Sequence, residues 1–327
     1  MDLDSAKINR VTALLIGRLG DLIVAAPFVR GLKERFPKAR LRLVTSSAIK
    51  EAALLLPWVD DISCAYPSWK PWDNLQTAAA MLGPCDLLVD LNPSFSRTSS
   101  TLAWLSRAPV KAAFAKGRLD SLYTLRADAP GEKEHMLDRC GRLAALLGMP
   151  YEPRLELRLS AADEKIADSI IQTTFAGKGS KIGIHPGNFR KFDNRWPEDK
   201  FVELTGRLLD AQVGEIVYLA GPGERSQVEA IAARAQRPLR VLGPLPVGIT
   251  AALLKRLDHF VCNITGTTHL SAAVGTPTFG LYAGYTHAVW RPRDPRHGGV
   301  MSDSWQSCRG ISVEKAFQEL LAFLKKP

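Results

Sequence analysis

The stretch Val11-Thr12-Ala13-Leu14-Leu15-Ile16-Gly17-Arg18-Leu19-Gly20-Asp21 decides the fold. The mostly apolar run over 11–16 predicts a strand buried on both faces, since a half-exposed strand would alternate apolar with polar residues. A glycine-containing turn then opens a helical pattern over 21–36, with Asp21 in its first turn. Such a strand–glycine–helix junction lies beyond the carboxyl end of the strand, where open α/β sheets bind ligands. A dinucleotide fingerprint, Gly-x-Gly-x-x-Gly, would admit a pyrophosphate there. This turn offers only Gly17 and Gly20, followed by an anion that repels phosphate. On spacing alone Asp21 is equally a solvent-facing helix-start residue, favoured by the helix dipole, and a catalytic carboxylate.

Outward from this turn, apolar runs predict further strands over 41–44, 87–91 and 110–114. Helical patterns cover 49–56, 74–82, 96–105 and 135–147. Residues 151–159 read as an extended connector, Ser160 caps a helix over 161–174, and Gly177-Lys178-Gly179-Ser180 is a joint. A second series follows, with strands over 181–184, 215–219, 239–242, 259–262 and 277–281. Its helices cover 197–210, 224–235, 249–257 and 267–274, and a last amphipathic helix covers 312–324. This alternation predicts an α/β chain of mainly parallel sheets, organised as two Rossmann-like halves. The expected division is 1–160, a linker helix and joint over 161–180, a second domain over 181–311, and a terminal helix over 312–327. Two such halves facing each other form a cleft, the usual place for a ligand.

Composition narrows the function. The chain has 327 residues, 46% of them hydrophobic and 23% charged, as in globular proteins with substantial cores. No apolar run approaches the roughly 20 residues of a membrane span, and the first ten residues lack a signal-peptide core. Five cysteines without a CxxC spacing point to reduced thiols and a cytoplasmic location. A net charge of +10 calls for an acidic partner. The densest basic stretch holds Arg30, Lys33, Arg35, Lys38, Arg40 and Arg42, which fits an anion patch or a solvated helix face. Nucleic acid is disfavoured because no zinc-finger or RNA-binding motif accompanies the charge. Asp2-Leu3-Asp4 has no strand before it, so neither a metal nor a cofactor is expected.

Three more strand–turn–helix junctions lie in the second half. His185-Pro186-Gly187-Asn188 leads into a loop with Arg190, Lys191 and Arg195, which can bind a diphosphate by charge-assisted hydrogen bonds. Thr265-Gly266-Thr267-Thr268-His269 opens a helix whose small residues let backbone N–H groups approach a phosphate. His269 fits either a phosphate or a structural contact. Gly221-Pro222-Gly223-Glu224 places a carboxylate where dinucleotide folds hold ribose hydroxyls, or where it simply caps a helix. Three such junctions in one half predict a nucleotide-diphosphate site there.

Together these segments resemble the heptosyltransferase family, the inverting glycosyltransferases that build the lipopolysaccharide inner core from ADP-heptose. The resemblance spans about residues 10–325. It rests on Arg18-Leu19-Gly20-Asp21 followed by Pro27, Pro37, His185-Pro186-Gly187, Arg195-Trp196-Pro197, Gly221-Pro222-Gly223-Glu224 and the run from Thr265 to Ala273. It implies two facing Rossmann-like domains (a GT-B fold), acceptor in the first and sugar nucleotide in the second, with the last helix packing back toward the first. It further implies that Asp21 is the catalytic base, that Glu224 holds the ribose, and that the Thr265–Thr268 backbone meets the diphosphate. His185, Asn188, Lys191, Arg195 and His269 complete the expected donor site. Gly20, Lys116 and Arg118 are expected to meet an acidic glycolipid acceptor at the inner face of the bacterial inner membrane. The competing readings are a nucleotide-sugar-binding relative without transferase activity and a nicotinamide-dependent oxidoreductase, which would need the missing fingerprint.

Overall fold

The computed structural model describes residues 3–66, 72–177, 179–188 and 195–325. It divides into two units between Arg158 and Leu159. In the first, β1 (Arg10–Leu15), β2 (Arg40–Ser46), β3 (Asp61–Ala65), β4 (Leu87–Asp90), β5 (Val110–Phe114) and β6 (Leu125–Ala127) form a sheet. Its order is β3-β2-β1-β4-β5-β6 and every pair is parallel. Its helices are α1 (Leu19–Arg35), α2 (Lys50–Ala53), α3 (Leu75–Leu82), α4 (Arg97–Leu105) and α5 (Met136–Leu146).

The second unit begins with α6 (Ala161–Thr174). Its sheet joins β7 (Lys181–His185), β8 (Glu215–Leu219), β9 (Val241–Leu242), β10 (His259–Asn263), β11 (Thr278–Tyr282) and β12 (Gly298–Met301). The order is β12-β11-β10-β7-β8-β9, again parallel throughout. The accompanying helices are α7 (Glu198–Asp210), α8 (Arg225–Ala232), α9 (Val247–Leu254), α10 (Gly266–Ala273), α11 (Gly284–Trp290) and α12 (Val313–Leu324). Counted from its own first strand, each sheet runs 3-2-1-4-5-6, the Rossmann order. Its winding reverses between β1 and β4 in one unit and between β7 and β10 in the other, which are the ligand-binding switch points of such sheets.

The helix after the opening turn is buried almost all round, from Leu22 to Leu32, as expected of a helix enclosed by its own unit rather than lying on its surface. Gly31 lets α1 approach the chain after α5, because a Cβ there would lie 2.5 Å from the Pro150 carbonyl oxygen. Pro27 sits inside α1, where it has no N–H to donate to the Ile23 carbonyl. The basic stretch over 30–42 is largely neutralised from within. Arg30 faces Glu34, Glu152 and Glu156, Lys33 meets Asp60 at 2.8 Å, and Arg40 meets Asp61 at 2.5 Å.

Helix α6, expected as a linker, packs on α9, with Glu164 bonded to Lys255 at 2.8 Å and Asp168 to Arg256 at 2.5 Å. The last helix, expected to pack back toward the first half, buries Ala316, Leu320 and Phe323 in the core of the second unit. There the Phe323 ring lies 5.4 Å from that of Phe279. No helix among the described residues is long and apolar enough to cross a membrane.

Candidate active site

At the first switch point the Gly17 turn carries Asp21 on the opening of α1. Arg18 is the N-cap in extended conformation, and its N–H donates to Asp21 Oδ2 at 2.7 Å. A Cβ at residue 17 would lie 2.9 Å from that same oxygen, so glycine is required by the carboxylate folded over it. Ser46 Oγ donates to the Gly17 carbonyl at 2.9 Å, tying the turn to β2. Asp21 is partly exposed, and Gly20 lies beside it in the first turn of α1. The cap bond takes one of about four acceptor positions of a carboxylate, so capping does not exhaust its chemistry.

Beside this turn, at the end of β4, lies a polar cluster that no local pattern announced. Asp90 Oδ2 accepts from Lys116 Nζ and from Tyr123 Oη, each at 2.6 Å. Its Oδ1 accepts from the Asn92 N–H at 3.0 Å and from Asn92 Nδ2 at 2.7 Å. The side chains of Asp90 and Lys116 are both 0% exposed. Lys116, expected to contact an acidic acceptor, is a buried partner of Asp90, with its Nζ turned inward over the Tyr123 ring, 5.3 Å from the centroid. Arg118 is exposed, with its guanidinium 5.5 Å from the Phe95 ring centroid.

The second switch point gathers most of the remaining candidates. Glu224 Oε2 accepts from His185 Nε2 and from the Gly221 N–H, both at 2.8 Å, and Oε1 accepts from the Asn188 N–H at 3.3 Å. Because the carboxylate only accepts, Nε2 carries an imidazole proton, and Nδ1 shares a hydrogen bond with Thr267 Oγ1 at 2.9 Å. Thr267 Oγ1 shares a further hydrogen bond with Thr265 Oγ1 at 2.7 Å. Burial alone would raise the Glu224 pKa, but the His185 bond and charge, with the Gly221 and Asn188 amides, hold it below the ordinary carboxyl range. Gly187 and Gly221 are the floor of this pair. A Cβ at 187 would meet His185 Nε2 at 2.3 Å, and one at 221 would meet Glu224 Oε2 at 2.7 Å. Asn188 takes a positive φ of 86°, which Asn tolerates better than most residues.

Three of the expected donor-site residues have side chains packed or bonded within the protein. Both ring nitrogens of His185, 3% exposed, are engaged by protein partners. Thr268 is fully buried, its hydroxyl accepting from the Thr265 N–H at 3.1 Å and donating to the Asn263 carbonyl at 3.2 Å. His269, 3% exposed, packs its ring 5.7 Å from that of Trp290. Thr265 is the N-cap of α10 and Gly266 its first residue, where first-turn N–H groups have no intrahelical carbonyl acceptor. Arg195 stands before α7 with its guanidinium 3.2 Å from Glu198, and Lys191 lies outside the described residues.

Asn263, which the sequence marked only as the first residue of a chance glycosylation sequon, is the clasp of this edge. Its Oδ1 accepts from the Trp196 N–H at 2.9 Å, and its Nδ2 donates to the carbonyls of Pro186 at 2.9 Å and Gly187 at 3.2 Å. Asn92 acts likewise in the first unit, its Oδ1 accepting from the Ile16 N–H at 3.0 Å. The available signal was a polar residue closing an apolar strand, in Asp90-Leu91-Asn92 and in Cys262-Asn263.

The two units thus share one Rossmann strand order, with a carboxylate at one switch point and small-residue helix openings at the other. The comparisons narrow this further. Residues 79–317 match glycosyltransferase family 9 (heptosyltransferase), and the chain belongs to that family. A curated relative, the lipopolysaccharide core heptosyltransferase OpsX of Haemophilus influenzae, is 24% identical over 83% of this chain and 78% of its own length. A family 9 glycosyltransferase from Veillonella parvula shares the fold with a TM-score of 0.85 at 18% identity, covering 99% of this chain and 98% of its own. E. coli ADP-heptose lps heptosyltransferase II does so with a TM-score of 0.78 at 17% identity, over 96% and 98%.

Proposed function

We propose that this protein transfers a heptose from ADP-heptose to an acidic lipopolysaccharide inner-core acceptor on the cytoplasmic side of the inner membrane, with Asp21 as general base. The observation that carries this reading is the contrast between the two switch points. The first presents a partly exposed carboxylate on a helix start. The second presents the opening of α10 beside Arg195 and the Glu224–His185 pair. In the reaction, Asp21 takes the proton of an acceptor hydroxyl as its oxygen attacks the anomeric carbon. The bond from that carbon to the diphosphate breaks, and ADP leaves with the electron pair. The Gly266 and Thr267 amides and Arg195 then face charge as it accumulates on the leaving group. Glu224, with three protein donors on a carboxylate of roughly four acceptor positions, has capacity for one ribose hydroxyl.

The test is a transfer assay with ADP-heptose and a heptose-deficient core acceptor, on the unmutated chain and on Asp21→Ala. Removing a general base is expected to lower kcat about 10²–10⁴-fold, with ADP affinity by calorimetry unchanged. An Asp21→Ala protein that transfers sugar at the unmutated rate would refute the assignment.

A further inference from the structure

The cluster at the end of β4 does something the reaction as written does not use. We infer that Asp90, Lys116 and Tyr123 form a positioning device that sets the Asp21 turn through the Asn92 amide. This rests on the reading of Asp21 as the base. Four donors converge on the Asp90 carboxylate: Lys116 Nζ, Tyr123 Oη, the Asn92 N–H and Asn92 Nδ2. Because Nδ2 is drawn to the carboxylate, and also reaches the Leu14 carbonyl at 3.4 Å, Asn92 must turn Oδ1 toward β1. There it accepts from the Ile16 N–H, the residue that precedes Gly17 and the Arg18 cap. The path from the buried charge to the base is therefore Asp90, Asn92, Ile16, then the turn that folds Asp21 over Gly17.

Stability does not explain the arrangement. A fully buried ion pair is often no better for stability than apolar residues of the same volume, and is costly only when one partner is removed. What the Asp90 carboxyl group provides, and an apolar residue could not, is a fixed orientation for the Asn92 amide. Lys116 Nζ meets the same carboxyl group at 2.6 Å, so its second oxygen is held as well. Burial and the Asp90 carboxylate push the Tyr123 phenol far up, so it stays a donor at any working pH.

The experiment measures kcat, donor KM, ADP affinity and thermal midpoint for Asp90→Asn, Tyr123→Phe and Asp21→Ala. In Asp90→Asn the new amide presents a donor where Asn92 also presents one, so the Asn92 amide turns and Ile16 loses its acceptor. The expected result is a fall in kcat of about tenfold or more, with donor KM and ADP affinity within twofold of the unmutated chain. The double variant Asp90→Asn/Asn92→Asp restores an acceptor for Ile16 and is expected to recover most of the lost kcat. Tyr123→Phe deletes one donor, keeps the volume and is expected to fold, with a smaller fall in kcat. If Asp21→Ala is inactive while both single variants keep kcat within twofold, the positioning role is wrong and the base stands. It is equally wrong if kcat falls only in step with ADP affinity. If Asp21→Ala keeps its rate, the reading of the base fails instead, whatever Asp90→Asn does.

Discussion

Each of the three turn glycines at the switch points lies beneath a particular side chain: Gly17 under Asp21, Gly187 under His185 and Glu224, Gly221 under Glu224. None has a positive φ, so their role is close approach and not backbone freedom. The Glu224 carboxylate illustrates how such a contact affects stability. Its folded-state pKa lies below the ordinary value of about 4.3. Its contribution is therefore complete above that value and is lost as pH falls through the depressed folded one. Glu224→Gln is expected to cost about 1–3 kcal/mol at pH 7 by urea unfolding. The gap from the unmutated chain should hold constant down to about pH 5 and close below the ordinary carboxyl range. A gap that persisted undiminished at pH 3 would contradict this account. Sequence reading placed Gly187 and Gly221 at nucleotide-binding junctions and set Gly17 apart from phosphate. That Asp21 and Glu224 fold onto their own glycines is a short-range relation visible in the spacing, Gly17 to Asp21 and Gly221 to Glu224. The clasps of Asn92 and Asn263 join residues more than 60 apart, and no local pattern carries that information.

At the level of elements, the strands that apolar runs predicted are the inner ones together with β9, a two-residue edge strand that is only partly buried. Those the sequence concealed are β3, β6 and β12. β3 is the edge strand Asp61-Ile62-Ser63-Cys64-Ala65, whose first three residues are only partly buried. β6 has three residues. β12 begins Gly298-Gly299, which reads as a turn. In the structure a Cβ at 298 would meet the Phe323 ring at 2.7 Å, and one at 299 would meet the Gly280 carbonyl oxygen at 2.2 Å. The short α11 starts on glycine and was equally hidden. His297 precedes β12 with Nδ1 buried and, among the described residues, unpartnered. Burial, helped by Arg296 against Asp294, lowers its pKa to about 4. Between the ordinary His value and about 4 the unfolded chain therefore binds a proton that the folded chain does not. Stability should fall across that window by roughly 2–3 kcal/mol, and His297→Gln should flatten the urea midpoint against pH there. An unchanged slope would assign the acid sensitivity elsewhere.

For the whole molecule, two copies of one strand order carry different chemistry at corresponding edges, which is why fold alone does not name the reaction. The charge of +10 was legible, but its distribution was not, since Arg30, Lys33, Arg40 and Lys116 are engaged by carboxylates within the first unit. The thiols fall into two groups. Cys140, Cys262 and Cys308 are pushed up to about 12 by burial, and Cys64 and Cys85 are also raised. At pH 8 the first three should react with a thiol reagent on the order of 10³-fold more slowly than free cysteine. All five should label on unfolding, and rapid labelling of the native chain beyond two sites would contradict the packing.

The Asn263 clasp has a practical corollary for making this protein. Asn263-Ile264-Thr265 is an acceptor sequence for N-linked glycans, yet its amide is fully buried and makes three hydrogen bonds. In a eukaryotic secretory host an oligosaccharide added to the nascent chain would occupy the nitrogen that must reach Pro186 and Gly187. The modified chain could not close that edge, so secreted material should accumulate misfolded while cytosolic expression of the same gene does not.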